Sequence, residues 1–533
     1  MPIHQIILAV FNYTLGVHAD VLHDVHMLQQ NSYRSLRYVR WLSQDFRRFL
    51  HLRQVLGFLP LALFVFKPIA ALAAWCVLYP TLFATYSRPP AKLKLAFTPR
   101  VIRLLCAHAA LFGFSAVLSH EFLPACFAFS LPAGFYLLFA LVVLGCFSPV
   151  LLLLSNALVL PLEWTISRFY YYDAKLILAK HVDLPVIGIT GSYGKTSTKL
   201  VLNQLLSTRF NSLATPLSYN TTMGVVRVIR TMLRPVHELF IVEMGARQPG
   251  DIKELCDLVA PKIGIITAIG EQHLETFGSI DAVTATKLEL FTGLASNGMA
   301  FFNLDDVMLH QSAKPIGPRY ISYGIDTLDA DYRATDIVYS AKGTEFTVLM
   351  PQNINYRFHA RLLGKHNVYN ILAAIAVSHE LGIPASVLAP AVAALPCAPH
   401  RLEIKRTTTG ITILDDAFSS NPLGAKYALD VLATFDGNRK FLLTPGMVEL
   451  GEREFALNKA FGAQAAGVCD YIILVGPKRA EPILVGLTEA GFPADQVYIA
   501  ADLKSAQSHL DGRISPGDVV LYENDLPDTY NEV

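Results

Sequence analysis

From Val55 to Glu163 the chain carries only two acidic residues, Glu121 and Glu163, and apolar runs fill residues 55–66, 69–87, 101–118, 122–147 and 148–162. Several reach the ~18–20 residues with which a helix spans a bilayer. Water-soluble cores are built from amphipathic elements with a polar face, and these runs have none, so they predict transmembrane helices. The same stretch explains the composition: 53% of the 533 residues are hydrophobic and 16% charged, where a soluble protein has about 25% charged. Disorder is excluded, and the length suits roughly three domains. A formal net charge of +1 gives no global attraction to nucleic acid, and none is expected as a partner. That average hides a division. Residues 1–163 hold 12 Lys/Arg and 5 Asp/Glu, whereas residues 164–533 hold 32 and 38.

The charge pattern orients the first part. Residues 1–54 form a basic arm with Arg34, Arg37, Arg40, Arg47, Arg48 and Arg53, which by the positive-inside rule belongs in the cytoplasm. Residues 55–163 then make an even number of crossings, four being expected, so that an ATP-using remainder shares that compartment. The basic connector Arg88–Arg100 makes 55–87 a short hairpin bent at Lys67-Pro68; a single crossing there would place the connector outside. Within residues 27–42, Arg34, Arg37, Tyr38 and Trp41 sit at helical spacing, as in an interfacial helix whose arginines meet lipid phosphates. Residues 1–17 lack the basic leader and cleavage site of a signal peptide. Seven cysteines (76, 106, 126, 146, 256, 397, 469) show no CxxC spacing and read as small hydrophobes in a reducing setting.

After a linker at 164–183, whose aromatics suit a membrane interface, the pattern becomes α/β. The apolar strand Val186–Thr190 runs into Gly191-Ser192-Tyr193-Gly194-Lys195-Thr196-Ser197 and then a helical run, Lys199–Thr208. Strand, glycine loop and helix together offer backbone N–H groups and a helix dipole to a polyphosphate, with Lys195 as a point charge and Thr196 as a hydroxyl for Mg²⁺. The strict phosphate-loop pattern has Gly where Ile189 stands. Further on, a strand at 239–242 leads to Glu243, a strand at 263–269 leads to His273, and Lys287 and Glu289 lie on the next helix. Such groups at the carboxyl ends of strands converge at the ligand crevice of an open sheet.

TGSYGKTS, VEMGA, the IG..HLE.FGS run, Lys287-x-Glu289, GKHNVYNILAA (364–374), PHRLE (399–403) and DDAFSSNP (415–422) resemble the Mur ligases in order and spacing, over residues 184–533. DDAFSSNP and PGMVELGE (445–452) are most similar to the D-alanyl-D-alanine-adding branch. The resemblance implies a central ATP-binding domain at 184–395 and a second Rossmann-like α/β domain at 396–533, behind the helical membrane region. It also implies an ATP-dependent, ADP-forming ligase that joins a carboxylate to an amine through an acyl phosphate, where positioning and charge neutralisation do most of the work.

Carried onto this sequence, Lys195 and the amides of residues 191–197 hold the phosphates, and Thr196 and Glu243 hold a first Mg²⁺. His273 and Lys287 serve a second. Lys287 matches the position that most Mur ligases carbamylate, in a TKLE context where AKGE is usual. Asn367 and Asn370 match residues on the adenine side, Arg401 one that reaches the ATP phosphates on domain closure, and Asp416 and Asn421 residues facing the same cleft.

Two departures bear on substrate. The last strand runs into Tyr522-Glu523-Asn524-Asp525-Leu526-Pro527-Asp528 where a KGSR-like motif is usual, which favours a cationic or hydroxylated amine partner or else is an acidic tail. Nothing before residue 184 is the family's UDP-sugar domain. The expectation is therefore a ligase on the bacterial cytoplasmic membrane, multi-pass and facing the cytoplasm. Its carboxylate substrate would be a peptidoglycan or other envelope precursor, lipid-linked or presented at the surface, with membrane lipid and membrane proteins as partners. A poly-γ-glutamate-type synthase and a nucleotide-regulated scaffold with a degenerate ligase fold are the alternatives; intact Lys195, Glu243, His273 and Lys287 disfavour the scaffold.

Overall fold

The computed structural model describes residues 3–43, 48, 51–85, 94–126, 131, 133–216, 219–270, 274–312, 318–340, 343–396, 400–417, 421–435 and 439–525. The chain forms two compact units, Met1–Arg168 and Phe169–Asp525.

The first unit is helical. Ile3–Gln30 is one helix of 28 residues, and its Tyr13 and Val17 enter a core with Leu61, Phe64, Trp75, Tyr79, Leu138 and Val142. The Tyr13 and Tyr79 rings meet edge-on at 4.9 Å. The boundary expected at residue 54 is therefore not a structural one: much of the basic arm packs with the apolar helices. Helices Phe58–Phe64 and Pro68–Ala84 are separated at Lys67, whose φ of −141° reflects the exclusion of α conformation before proline. Helix Ser35–Ser43 presents Tyr38, Trp41 and Leu42 inward, the first two stacked at 5.6 Å. The expected interfacial aromatics are thus core residues of this unit.

Among the described residues two helices are long and apolar enough to cross a membrane, Pro99–Pro124 and Ser148–Ala179. Among the described residues, Pro68–Ala84 and Gly134–Cys146 are shorter apolar helices of 10–17 residues. The unit also buries polar groups. His51 Nε2 lies 2.9 Å from Asp24 Oδ2, which accepts from Ser148 Oγ at 3.3 Å, and one turn away Gln54 Nε2 donates to Asp20 Oδ2 at 2.6 Å.

The second unit contains two sheets. The nine-stranded sheet has the order β2-β3-β1-β4-β5-β6-β7-β8-β9, with β1 Val186–Thr190, β2 Ser212–Ala214, β3 Leu239–Glu243, β4 Ile263–Ile266, β5 Met299–Asn303, β6 Arg319–Gly324, β7 Tyr332–Ser340, β8 Gly343–Met350 and β9 Ile354–Ala360. Pairing is parallel from β2 through β7 and antiparallel across β7, β8 and β9. β1 and β3 are buried at every position, the continuous apolar pattern of strands covered on both faces. The linker expected at 164–183 falls largely within helix Ser148–Ala179; Tyr171 and Ala174 join a core with Val225, Phe240 and Ile252.

The six-stranded sheet has the order β10-β11-β15-β12-β13-β14, with β10 Glu403–Arg406, β11 Thr412–Asp416, β12 Lys440–Thr444, β13 Tyr471–Val475, β14 Val497–Ala500 and β15 Val519–Glu523. Only β10 runs antiparallel to its neighbour. β10 and β14 are edge strands, short and half-exposed.

Asp24→Ala is expected to lower the stability of the full chain by about 2–3 kcal/mol, because His51 and Ser148 lose their shared acceptor. Thermal unfolding in detergent at neutral pH, with Asp24→Asn as the milder companion, measures this.

Candidate active site

The register of the nine-stranded sheet builds the site. Ile189 on β1 is paired with Glu243 on β3, so the glycine loop leaving β1 and the carboxylate ending β3 emerge side by side. The loop needs its glycines: Gly191 has φ +147° and an added Cβ would overlap Thr267 Oγ1, while Gly194 has φ +78° and an added Cβ would lie 2.6 Å from Asn370 Oδ1. Helix Lys195–Leu206 starts at Gly194 with no side-chain cap, which leaves its first N–H groups for a ligand. Ser192 anchors the loop by accepting from Gly270 N at 3.0 Å and donating its own N–H to Ala268 O at 2.7 Å. The Tyr193 carbonyl accepts from Thr267 Oγ1. Lys195 Nζ is folded back onto the carbonyls of Gly191 and Ser192, at 2.6 and 3.0 Å; burial pulls its pKa down to about 8 against the raising effect of Glu243. Ser197 lies in the first helical turn.

Glu243 is the centre of a hydrogen-bond knot. Its Oε1 accepts from Thr196 Oγ1 and Asn220 Nδ2, each at 3.1 Å, and its Oε2 pairs with Lys199 Nζ at 2.8 Å. Burial alone would raise its pKa, yet Lys199, with Lys195 and Asn220, holds the carboxyl below the ordinary glutamate range. A hydroxyl and an ionised carboxylate 3.1 Å apart at a strand end are hard oxygen donors of the kind Mg²⁺ takes, and they fit that ion once phosphate oxygens complete the shell. No group of three or more His, Cys, Asp or Glu side chains able to hold a metal occurs among the described residues.

Lys287 lies on helix Ile280–Thr292 and is 3% exposed. Burial, reinforced by the positive charge of Lys195, lowers its pKa to about 7. His273 falls outside the described residues.

The remaining expected residues divide by role. Asn370 Oδ1 accepts from Thr198 Oγ1 at 3.0 Å and so braces the loop helix; Asn367 Nδ2 donates to Leu363 O at 2.8 Å. Both lie on helix Lys365–Glu380. On the same helix Tyr369 Oη donates to Asp305 Oδ2 at 2.8 Å, beside an open cavity of about 390 Å³ lined by Leu304, Asp305, Val307, His310, Asp326 and Thr327. Arg401, from the second α/β domain, reaches the loop: its Nη2 is 3.4 Å from Thr196 Oγ1. Asp416 accepts from Leu402 N at 2.9 Å, and burial lifts its pKa to about 6 even though Arg401 pulls the other way. Asn421 does not reach into the site through its Oδ1: that atom caps helix Pro422–Ala433 by accepting from Gly424 N at 2.8 Å.

Lys199 and Asn220 are the residues that sequence reading missed. Lys199 had a signal, since it stands one helical turn beyond Lys195 and on the same face; Asn220 lies in an irregular loop and had none.

A phosphate-type loop, a buried metal-type carboxylate and an arginine from a second domain define a nucleotide-using α/β enzyme. Comparison with known proteins agrees. Residues 189–378 match the Mur ligase middle domain and residues 400–522 the Mur ligase glutamate ligase domain. The UDP-N-acetylmuramoyl-tripeptide–D-alanyl-D-alanine ligase of Bacillus subtilis is 32% identical over 340 residues, 63% of this chain and 72% of the relative; that of Escherichia coli is 31% identical over 341 residues, 63% and 74%. The crystal structure of the MurF ligase from Thermotoga maritima in complex with ADP superposes with a TM-score of 0.60 at 25% identity, covering 67% of this chain and 80% of that one. The chain belongs to the Mur ligase family, and as a member it is an ATP-dependent, ADP-forming ligase that makes C–N bonds.

Gly191→Ala is expected to weaken binding of a non-hydrolysable ATP analogue by roughly tenfold or more, at a cost in stability of about 1–3 kcal/mol. Equilibrium titration and thermal unfolding of the same sample measure the two effects.

Proposed function

We propose that this chain is a membrane-anchored Mur-type ligase that extends a peptidoglycan precursor, activating the precursor's carboxylate with ATP and joining it to an amine. The observation that carries the reading is the convergence of Lys195, Thr196, Glu243 and Arg401 on one loop, from two domains. Lys195 and the loop amides bind and orient the phosphates, and Arg401 adds positive charge on the side facing the second domain. Mg²⁺, held by Thr196 and Glu243 together with phosphate oxygens, would neutralise charge on the transferring phosphoryl group. The cavity beside Tyr369 suits the nucleoside end. Domain closure around Arg401 would keep water from the acyl phosphate.

Lys287 is suited to carbamylation. The neutral amine is the nucleophile toward CO₂, and burial that lowers the Lys287 pKa to about 7 leaves far more of it neutral near pH 7 than in an ordinary lysine near 10.4, which is almost wholly protonated. Addition of CO₂ to the neutral amine forms an N–C bond and releases a proton to solvent, leaving a carbamate anion where an ammonium would otherwise stand, and that anion with His273 would serve a second Mg²⁺.

Membrane anchoring is supported by the surface of the first unit. The most apolar windows of its two long helices are only 22% and 33% buried, unlike the core helices of a soluble protein, and Phe66, Ile69, Phe114, Phe122 and Leu158 are exposed. Large apolar side chains left exposed along long apolar helices support a lipid- or partner-facing surface. The catalytic domains then work at the cytoplasmic face, and the carboxylate substrate is presented at the bilayer or carried on a lipid. For the amine, Glu523 on β15 lies beside Asp416 on β11 and accepts from Thr444 Oγ1 on β12 at 3.4 Å. Glu523 is itself fully buried, so these carboxylates act on the amine through their field, which favours a cationic or hydroxylated partner.

Full-length chain with ATP, Mg²⁺ and either UDP-muramoyl-tripeptide or its lipid-linked form is expected to yield a hydroxamate with hydroxylamine, absent in Lys195→Ala. Nucleotide binding without hydroxamate from any envelope extract would favour the scaffold. Activity is expected to fall as pH drops below about 7 and in CO₂-depleted buffer, with bicarbonate restoring it at pH 7.5; intact-protein mass spectrometry of wild type against Lys287→Arg locates the adduct.

A further inference from the structure

Lys199 has no part in the scheme above, yet it is among the most completely buried charges in the chain. It is 1% exposed and lies 2.8 Å from Glu243 Oε2, whose residue is also 1% exposed. A buried ammonium persists only with a compensating anion, and a buried carboxylate only with a compensating cation. Glu243 therefore already has a cation bound before any metal arrives. Its other oxygen is held by Thr196 and Asn220, so the carboxylate is fixed in orientation as well as in charge.

We infer that Lys199 is the resident counter-ion of the metal-binding carboxylate: it occupies one face of Glu243 in the metal-free chain and competes electrostatically with Mg²⁺, so that it sets the Mg²⁺ requirement of nucleotide binding. This rests on the ligase reading, because it takes Glu243 as a Mg²⁺ ligand. Lys199 is a positioning residue, since it acts through Glu243. An ion pair that served only to hold the fold would differ in the sign of one effect. Losing a purely structural partner leaves Mg²⁺ affinity unchanged or weakens it, whereas losing a competing cation strengthens it.

The experiment uses the full chain in detergent or nanodiscs and follows binding of a fluorescent, non-hydrolysable ATP analogue as Mg²⁺ is titrated, with metal-free thermal unfolding alongside. For Lys199→Met the Mg²⁺ concentration at half-saturation is expected to fall roughly fivefold or more. The metal-free unfolding midpoint is expected to fall by several degrees and to recover with Mg²⁺ and analogue. The double variant Lys199→Met/Glu243→Gln, which removes both charges, is expected to regain the metal-free midpoint and to bind the analogue with no Mg²⁺ stimulation. If Lys199→Met alone fails to fold, the milder Lys199→Gln is titrated in its place, with the same fall in half-saturation expected and an unchanged or raised value overturning the inference. An unchanged or raised half-saturation in folded Lys199→Met overturns the inference and leaves the ligase reading intact. A wild-type chain that binds the analogue without regard to Mg²⁺ overturns both.

Discussion

The knot around Glu243 is the interaction on which the catalytic unit depends. One carboxylate ties the end of β3 to the loop helix through Thr196 and Lys199 and to the loop before Thr222 through Asn220. It can do so because β1 and β3 are neighbours in register, and they are neighbours because both are continuous apolar strands buried in the middle of a mostly parallel sheet. Hydrophobic burial fixes the strand order; the strand order fixes which polar ends meet. A single ionised group then does locally what the sheet cannot, which is to hold a hydroxyl, an amide and an ammonium at hydrogen-bond distance in a place closed to water.

The second α/β domain repeats the logic at lower density. β11, β15 and β12 are adjacent and parallel, so Asp416, Glu523 and Thr444 fall at neighbouring carboxyl ends. Arg401, just ahead of β10, crosses to Thr196. Burial lifts the Asp416 pKa to about 6, and the side chain of this domain that meets the phosphate loop is Arg401. Two sheets each place polar groups at their strand ends, and between them the Arg401 guanidinium reaches Thr196 while Leu363 and His366 pack against the second domain.

Much of this was legible in the sequence because it rests on local patterns. The glycine loop, the strand leading to Glu243 and the arginine of PHRLE each sit where their spacing says. What was not legible depends on partners distant in sequence. Lys199 reads as an ordinary helix lysine until β3 is laid against it. Asn421 reads as a cleft residue, yet its side-chain oxygen is spent on capping the helix that follows. Tyr38 and Trp41 have the amphipathic spacing of an interfacial helix, and the same spacing serves equally well for burial against Leu104 and Leu152. Periodicity shows that a face is apolar; it does not say whether lipid or protein covers it.

The central claim is that this site uses ATP to activate a carboxylate, and positional isotope exchange tests it most directly. ATP labelled with ¹⁸O at the β,γ-bridge is incubated with the full chain, Mg²⁺ and the muramoyl-tripeptide carboxylate, UDP-linked or lipid-linked, with the amine withheld. Reversible transfer of the γ-phosphoryl group to the carboxylate is expected to scramble the label into the non-bridging β-positions, and only when the carboxylate is present. Label that stays in the bridge, with nucleotide and carboxylate both demonstrably bound, would contradict the account.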